Sequence, residues 1–344
     1  MTATLIVEAM EDMGDMDTKL VERIIDTNRM KIPTRTDNIQ TRATLTTMMM
    51  MMMMMTMMIM KIFAYTILSS LVVKAMSRMI GTLLNCPVPE ELSELVNLLI
   101  LDLSNNDLTG TIPESYSKLS RMRRLDFSSN QITGNFPVAV TKMTKIEELV
   151  LKNNYMKGPL SKEIMRLKQL TELSIANNDF GGLLPEGLFT SLTKLRVINI
   201  NQNGFTGDIT SEIGALTGLL RFSARANEFK GRIPKELGSC KELQFLSLGD
   251  NHFSGELPNA LFDLQNLKVL DLPENKLTGN LSPRIGNMIS LTRLVLAHNE
   301  FTGPLPVELQ NLTRMEYMVI NYNQFDGLFP IATAPTQMGV CLPA

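Results

Sequence analysis

The chain has 344 residues, of which 44% are apolar and 20% charged, and its net charge is −2. This balance is not the profile of a polyanion binder, since tight nucleic-acid binding wants a basic face, so no nucleic-acid partner is expected. Length alone suggests two domains, but an internal repeat described below overrides that prior.

Residues 1–59 carry no repeat. Scattered apolar residues between Leu5 and Asp26 sit among acids, Gly14 interrupts any helix, and Thr34 to Thr47 is polar and rich in Thr. This composition predicts a disordered or low-complexity region. A methionine run follows over 48–60, unbroken from Met48 to Met55. Methionine is too flexible to specify packing, so the run reads as low complexity.

Residues 60–76, MKIFAYTILSSLVVKAM, place a lysine ahead of the apolar stretch Ile62–Val73, and Val73-Lys74-Ala75 offers small or apolar residues at the two positions a signal peptidase reads. The segment looks like a complete secretory signal peptide. Two further readings stay open. Residues 48–73 are long enough to remain in a membrane as an anchor, or the segment packs as a buried helix on the end of the fold. Residues 77–97 read as a degenerate capping coil, because Val88-Pro89 matches the later Ile112-Pro113 and Leu92, Leu95 and Leu98 continue in phase.

From Leu98 the chain is periodic. LLILDLSNNDLTGTIP (98–113) returns in altered form to Pro330, anchored by Asn106, Asn130, Asn154, Asn178, Asn203, Asn227, Asn251, Asn275, Asn299 and Asn323. The steps are 24 residues, with one of 25 between Asn178 and Asn203. In Leu101-Asp102-Leu103 the leucines alternate, and apolar residues take their places in the other copies, so both point to the same face of a short strand. The anchor Asn has a short amide able to satisfy backbone groups at a turn and in the next coil. A Gly follows four residues later in every copy, from Gly110 to Gly327, and reads as a conformation that a Cβ would penalise. The Pro of the motif is replaced by Ser161, Thr210 and Ser282 in three copies. The motif phase predicts that the extra residue of the long step lies between Leu188 and Leu192, on the convex side, with the sheet intact.

A fixed period of this length with this pattern is the signature of a leucine-rich repeat solenoid. The LxGxIP half resembles the plant-type leucine-rich repeat, and the resemblance covers Val88 to Pro330. It implies an α/β repeat solenoid: a right-handed superhelix with ten parallel strands on the concave face, extra extended structure beside them, and short helical or irregular convex segments. Relatives include ectodomains of receptor-like kinases, receptor-like proteins and polygalacturonase-inhibiting proteins. Ten repeats are expected over 98–330, and a C-terminal tail or cap over 331–344. No kinase domain follows the repeats in this sequence, and it contains no Trp.

The three cysteines are Cys86, Cys240 and Cys341. Ten strands at ~4.8 Å spacing put Cys86 and Cys341 more than ~40 Å apart, and a disulfide needs Cα atoms within ~7 Å, so no bridge between the ends is expected. Cys240 reads as a small core or surface residue. An unpaired set of cysteines argues for the cytoplasm against the signal-like segment, and the weighing favours repeats that are secreted or membrane-attached. The sequons at Asn280 and Asn311 are compatible with that placement.

Catalysis finds no support in the sequence: His252 and His298 are the only histidines, no Cys/His spacing suits a metal, and neither a nucleophile elbow nor a phosphate loop occurs. No catalytic residue, metal site or cofactor is expected. Recognition of a protein or peptide ligand on the outward strand positions is the expected function. A structural wall or matrix scaffold, and an inhibitor of a secreted glycan hydrolase, are the rival readings. The outward aromatic and cationic residues concentrate near the C-terminal end, and Arg293, Val295, His298, Tyr317, Val319 and Tyr322 are the expected ligand-binding patch.

If the signal-like segment is cleaved, the mature chain begins near Met76. Mass spectrometry of secreted material should then contain no peptide from residues 1–59. Recovery of those peptides in a membrane fraction would instead identify an anchor.

Overall fold

The computed structural model describes residues 87–326. The methionine run, the signal-like segment 60–76, the tail 331–344, Cys86 and Cys341 lie outside the described residues. Within them the chain forms a solenoid of ten coils, each numbered here by its anchor Asn, from Asn106 in coil 1 to Asn323 in coil 10.

Every coil contributes one strand of three residues to a ten-stranded parallel sheet, running from Ile100–Asp102 through Arg124–Asp126 to Tyr317–Val319. The register is in phase throughout: Leu101 pairs with Leu125, Leu149 with Leu173, Phe222 with Leu246, and Leu294 with Met318. These middle residues point into the core and are almost fully buried. A second ten-stranded parallel sheet is built from the LxG half of each repeat, from Thr109–Gly110 to Gln324–Asp326. It follows from the same constraint: once coils stack at one spacing, any extended segment meets its copy in the next coil.

The anchor asparagines join the coils. Asn130 Nδ2 donates to Phe127 O and Ser128 O in its own coil and to Leu103 O in the preceding one, at 3.0, 3.3 and 2.9 Å. Its Oδ1 accepts from Leu108 N, also in the preceding coil, at 3.1 Å. Asn154 to Asn323 repeat this set, and Asn323 keeps all four bonds. The sequence expectation of a bond to the next coil is therefore corrected in direction: the amide reaches back, because the anchor follows its strand and the preceding coil's turn lies beside it. The residue before each anchor adopts a left-handed conformation although none is Gly, with φ between 50° and 59° from Asn105 to Tyr322. Such a residue costs ~1–2 kcal/mol, and the amide bonds on either side hold it there.

Two glycines illustrate two different demands. Gly182 has φ +77° and open space where a Cβ would stand, so conformation alone selects it. At Gly238 a Cβ would lie 2.5 Å from Ala260 O, so the close approach of two convex turns selects it.

The convex side is made of five-residue 3₁₀ turns such as Glu114–Lys118 and Val307–Asn311. Where the motif Pro is lost, Ser161 and Ser282 accept hydrogen bonds from Glu163 N and Arg284 N, so a side-chain cap replaces the ring's fixed φ. Thr210 makes no such bond. The 25-residue step ends in the one exception among the described turns: Leu188–Ser191 is α-helical, with Leu192 N donating to Leu188 O. The extra residue is taken up there as the wider helical turn, and the sheet continues unbroken through Leu173, Ile198 and Phe222.

Phenylalanines form a spine under the second sheet. Phe180, Phe205, Phe229 and Phe253 stack with ring centroids 6.5, 6.3 and 6.2 Å apart, all fully buried. Cys240 is buried in the same core, its thiol donating to Ile213 O and pushed up to about 11 by desolvation, which keeps it protonated and inert. At the N-terminal end Glu90–Glu94 forms a 3₁₀ turn and Pro87 bridges Thr109. Tyr116, fully buried on the convex turn of coil 1, donates its hydroxyl to Pro89 O at 2.9 Å. Burial, aided by Glu91, holds that hydroxyl far above the usual phenol range.

Replacing Asn203 by Ala, mid-stack, should cost ~1–3 kcal/mol for each buried backbone group left unpaired. Asn323→Ala removes the same bonds from a terminal coil, which opens more easily, and should cost less. Equal losses in denaturant melts of the two variants would refute the graded ladder.

Candidate functional site: the concave face

Strand alternation puts residues 100, 102 and their equivalents on the concave face, and the in-phase register aligns each position into a column across the coils. The column between the core residues is more sheltered than an outward position suggests: Asp126, Val150, Ser174, Ser223, Ser247 and Val295 are all buried.

The outer column carries the contrast between the two halves. In coils 2–4 it reads Arg124, Glu148, Glu172. Arg124 binds Glu148 at 2.5 Å and Asp126 at 3.3 Å, while Arg123 binds Glu147 at 2.7 Å one column away. Glu172 is left beside this cluster. Its carboxyl is raised above the usual carboxylate range, first by burial and then by Glu148, with Arg124 and Lys152 opposing. In coils 6–10 the column reads Arg221, Phe245, Val269, Arg293, Tyr317. Arg221 lies over the Phe245 ring at 4.4 Å, and Arg293 over the Tyr317 ring at 4.5 Å. Each is a cation–π pair across one coil boundary. Arg225 faces Asp271 at 3.6 Å, and Asp271 also accepts from Ser247 Oγ.

Arg293 and Tyr317 are therefore together and exposed, Tyr317 at 41%. His298 and Tyr322 stack at 4.1 Å between centroids, and His298 Nε2 lies 3.6 Å from Glu274 Oε1. Expected among the outward strand positions, these two instead occupy the left-handed turn position before Asn299 and Asn323. Strand Tyr317–Val319 ends before Tyr322. Four of the six residues thus form two pairs, Arg293 with Tyr317 and His298 with Tyr322. Val295, expected in the patch, is buried at 7% exposure, and Val319 is half-buried. Arg221 and Phe245 were missed at the sequence level. The signal was present, since the outer column repeats a cation followed by a ring or branched residue. Among the described residues no group of His, Cys, Asp and Glu is arranged to hold a metal ion, and no helix is long and apolar enough to cross a membrane.

For an acid whose folded-state pKa is raised, the charged form is disfavoured by the fold. The penalty is absent below the unfolded carboxylate pKa of ~4.3 and develops as pH rises through the raised folded value. Glu172→Gln should therefore melt higher than the parent chain at pH 7, with the gap closing as pH falls to about 4. An unchanged melting temperature at pH 7 would show that Glu172 carries no such penalty.

The Leucine Rich Repeat family profile matches residues 97–119, 121–143, 169–191, 242–264, 266–288 and 290–312. No curated protein matches the chain in sequence. Among solved structures, the plant peptide hormone receptor RGFR1 in complex with RGF2 is 32% identical with a TM-score of 0.68, over 70% of this chain and 38% of that one. A TDR receptor is 31% identical with a TM-score of 0.69, over 72% and 42%. The ectodomain of the Arabidopsis receptor kinase HAESA, in complex with an N-terminally extended IDA peptide hormone, is 27% identical with a TM-score of 0.55, over 70% and 48%. The chain thus spans less than half the length of each of these relatives. The repeats matched by the family profile and the fold shared with these neighbours agree with the ten in-phase coils seen here, and the chain is a leucine-rich repeat protein of the plant type.

Proposed function

We propose that this chain is a non-catalytic recognition module that takes a protein or peptide ligand on its concave face, with the repeats extracellular. The neighbours support the class: RGFR1 is in complex with RGF2, and the HAESA ectodomain with a peptide hormone. The observation that carries the reading for this chain is the pair of ring stacks, Arg293 over Tyr317 and His298 on Tyr322, with Tyr317 41% and Tyr322 65% exposed. Tyr and Arg are enriched among residues that dominate binding energy. Here each ring is held by its neighbour before any partner arrives, so less side-chain freedom is lost on binding. The repeats are either attached to a membrane through residues 48–73 or released by cleavage near Met76.

The test is a partner recovered by pull-down with the parent chain. Tyr317→Ala combined with Tyr322→Ala should lose at least ~2 kcal/mol of its binding while the melting curve stays nearly unchanged, because both rings are exposed. Normal binding by the double variant, or its unfolding, would remove these tyrosines from the site. A pull-down that returns no selective partner would favour a scaffold.

A further inference from the structure

A second surface lies on the edge of coils 2–4, where the concave strands turn into the second sheet. A groove of about 480 Å³ is lined there by Asn130, Asn153, Asn154, Tyr155, Asn177, Asn178 and Asp179. We infer that this groove is a binding site for a neutral saccharide, with the Tyr155 ring as platform and Asn153, Asn177 and Asp179 as hydrogen-bonding fringe.

The lining residues have distinct duties. Asn130, Asn154 and Asn178 are anchors whose amides are already engaged with the backbone, so they form the floor. Tyr155 follows anchor Asn154 and is 65% exposed. Asn153 and Asn177 stand in the left-handed turn position, at φ 59° and 52°. Their amides are chained: Asn177 Nδ2 donates to Asn153 Oδ1 at 3.1 Å, and Asn153 Nδ2 donates to Ser129 Oγ at 3.1 Å. This chain fixes which way each amide points. It leaves Asn177 Oδ1 and one N–H on each amide aimed at fixed positions, which is preorganisation for a polar ligand.

The column that carries Tyr155 and Asp179 changes character on either side of the groove. The position after the anchor is Gln131 in coil 2, hydrogen-bonded to Asp107, and Glu228 in coil 6, which lies 3.5 Å from His252. Between these, Tyr155 and Asp179 are followed by Gly204, which has no side chain. The column is therefore filled on both flanks and vacant beside Asp179.

The chemistry selects the ligand class. None of the lining residues is cationic, so the site does not suit a phosphate or sulfate. Tyr155 is the single apolar surface in it, so it does not suit a lipid. A pyranose presents an apolar face of C–H groups for the ring and a rim of hydroxyls that both donate and accept, matching amides and a carboxylate.

The experiment is saturation-transfer NMR on the full chain with three neutral hexasaccharides (cellohexaose, xylohexaose, mannohexaose) and the anionic hexagalacturonate. At least one neutral hexasaccharide should show transfer, and Tyr155→Ala should abolish it. Asn177→Gly, which removes the amide yet keeps the left-handed turn accessible, should weaken binding by about tenfold, the equivalent of one lost hydrogen-bonding group. The Tyr317→Ala, Tyr322→Ala double variant should bind as the parent does, which separates this site from the concave face. Transfer from none of the neutral sugars, transfer from hexagalacturonate alone, or a signal that survives Tyr155→Ala would overturn the inference.

Discussion

The anchor asparagine amide is the interaction on which the rest of the solenoid depends. A coil that turns through a full circuit in 24 residues exposes backbone groups at every corner, and burying them unpaired would cost ~1–3 kcal/mol each. One amide closes four of these groups, two in its own coil and two in the coil before it. Because half of its bonds are to a neighbour, the amide fixes spacing and phase as well as the local turn. The left-handed residue ahead of it, the in-phase leucine ladder and the phenylalanine spine all inherit that phase.

The same constraint explains where the repeat tolerates change. An extra residue in the strand or at the anchor would shift every core side chain relative to the coils on both sides. An extra residue on the convex side changes only the width of a turn, and Leu188–Ser191 accommodates it as one α-helical turn. The Ser caps at 161 and 282 make the same point on a smaller scale. Convex chemistry is replaceable because each turn has only to present one or two apolar side chains inward.

Phase also governs the surface. With identical positions aligned from coil to coil, a side chain's electrostatic environment is set mainly by residues 24 positions away. Glu148 and Glu172 become neighbours and raise the Glu172 carboxyl. Arg221 and Arg293 become neighbours of Phe245 and Tyr317 and lie over their rings. Asn153 and Asn177 become an amide chain beside an exposed ring. Each functional surface proposed for this protein is a column or pair of columns, and none is visible in a single repeat.

The sequence by itself determined the solenoid, the number of coils, the core positions and the place of the irregular step. These follow from spacing, and spacing is a one-dimensional property of Leu101, Asn106 and Gly110 and their copies. Column membership was legible too, so Arg293 and Tyr317 could be placed together before any coordinates. Only the tertiary structure decided the direction of the amide bonds, because a motif does not say which neighbouring coil its anchor faces. It moved His298 and Tyr322 off the strands into left-handed turns, since φ at a non-glycine residue leaves no mark in composition. It buried Val295, because the exposure of an outward strand position depends on the packing around it and not on its place in the repeat. And it assembled the edge groove, because its lining is a relation among Asn153, Tyr155, Asn177 and Asp179 across neighbouring coils, and no one of those residues encodes it alone.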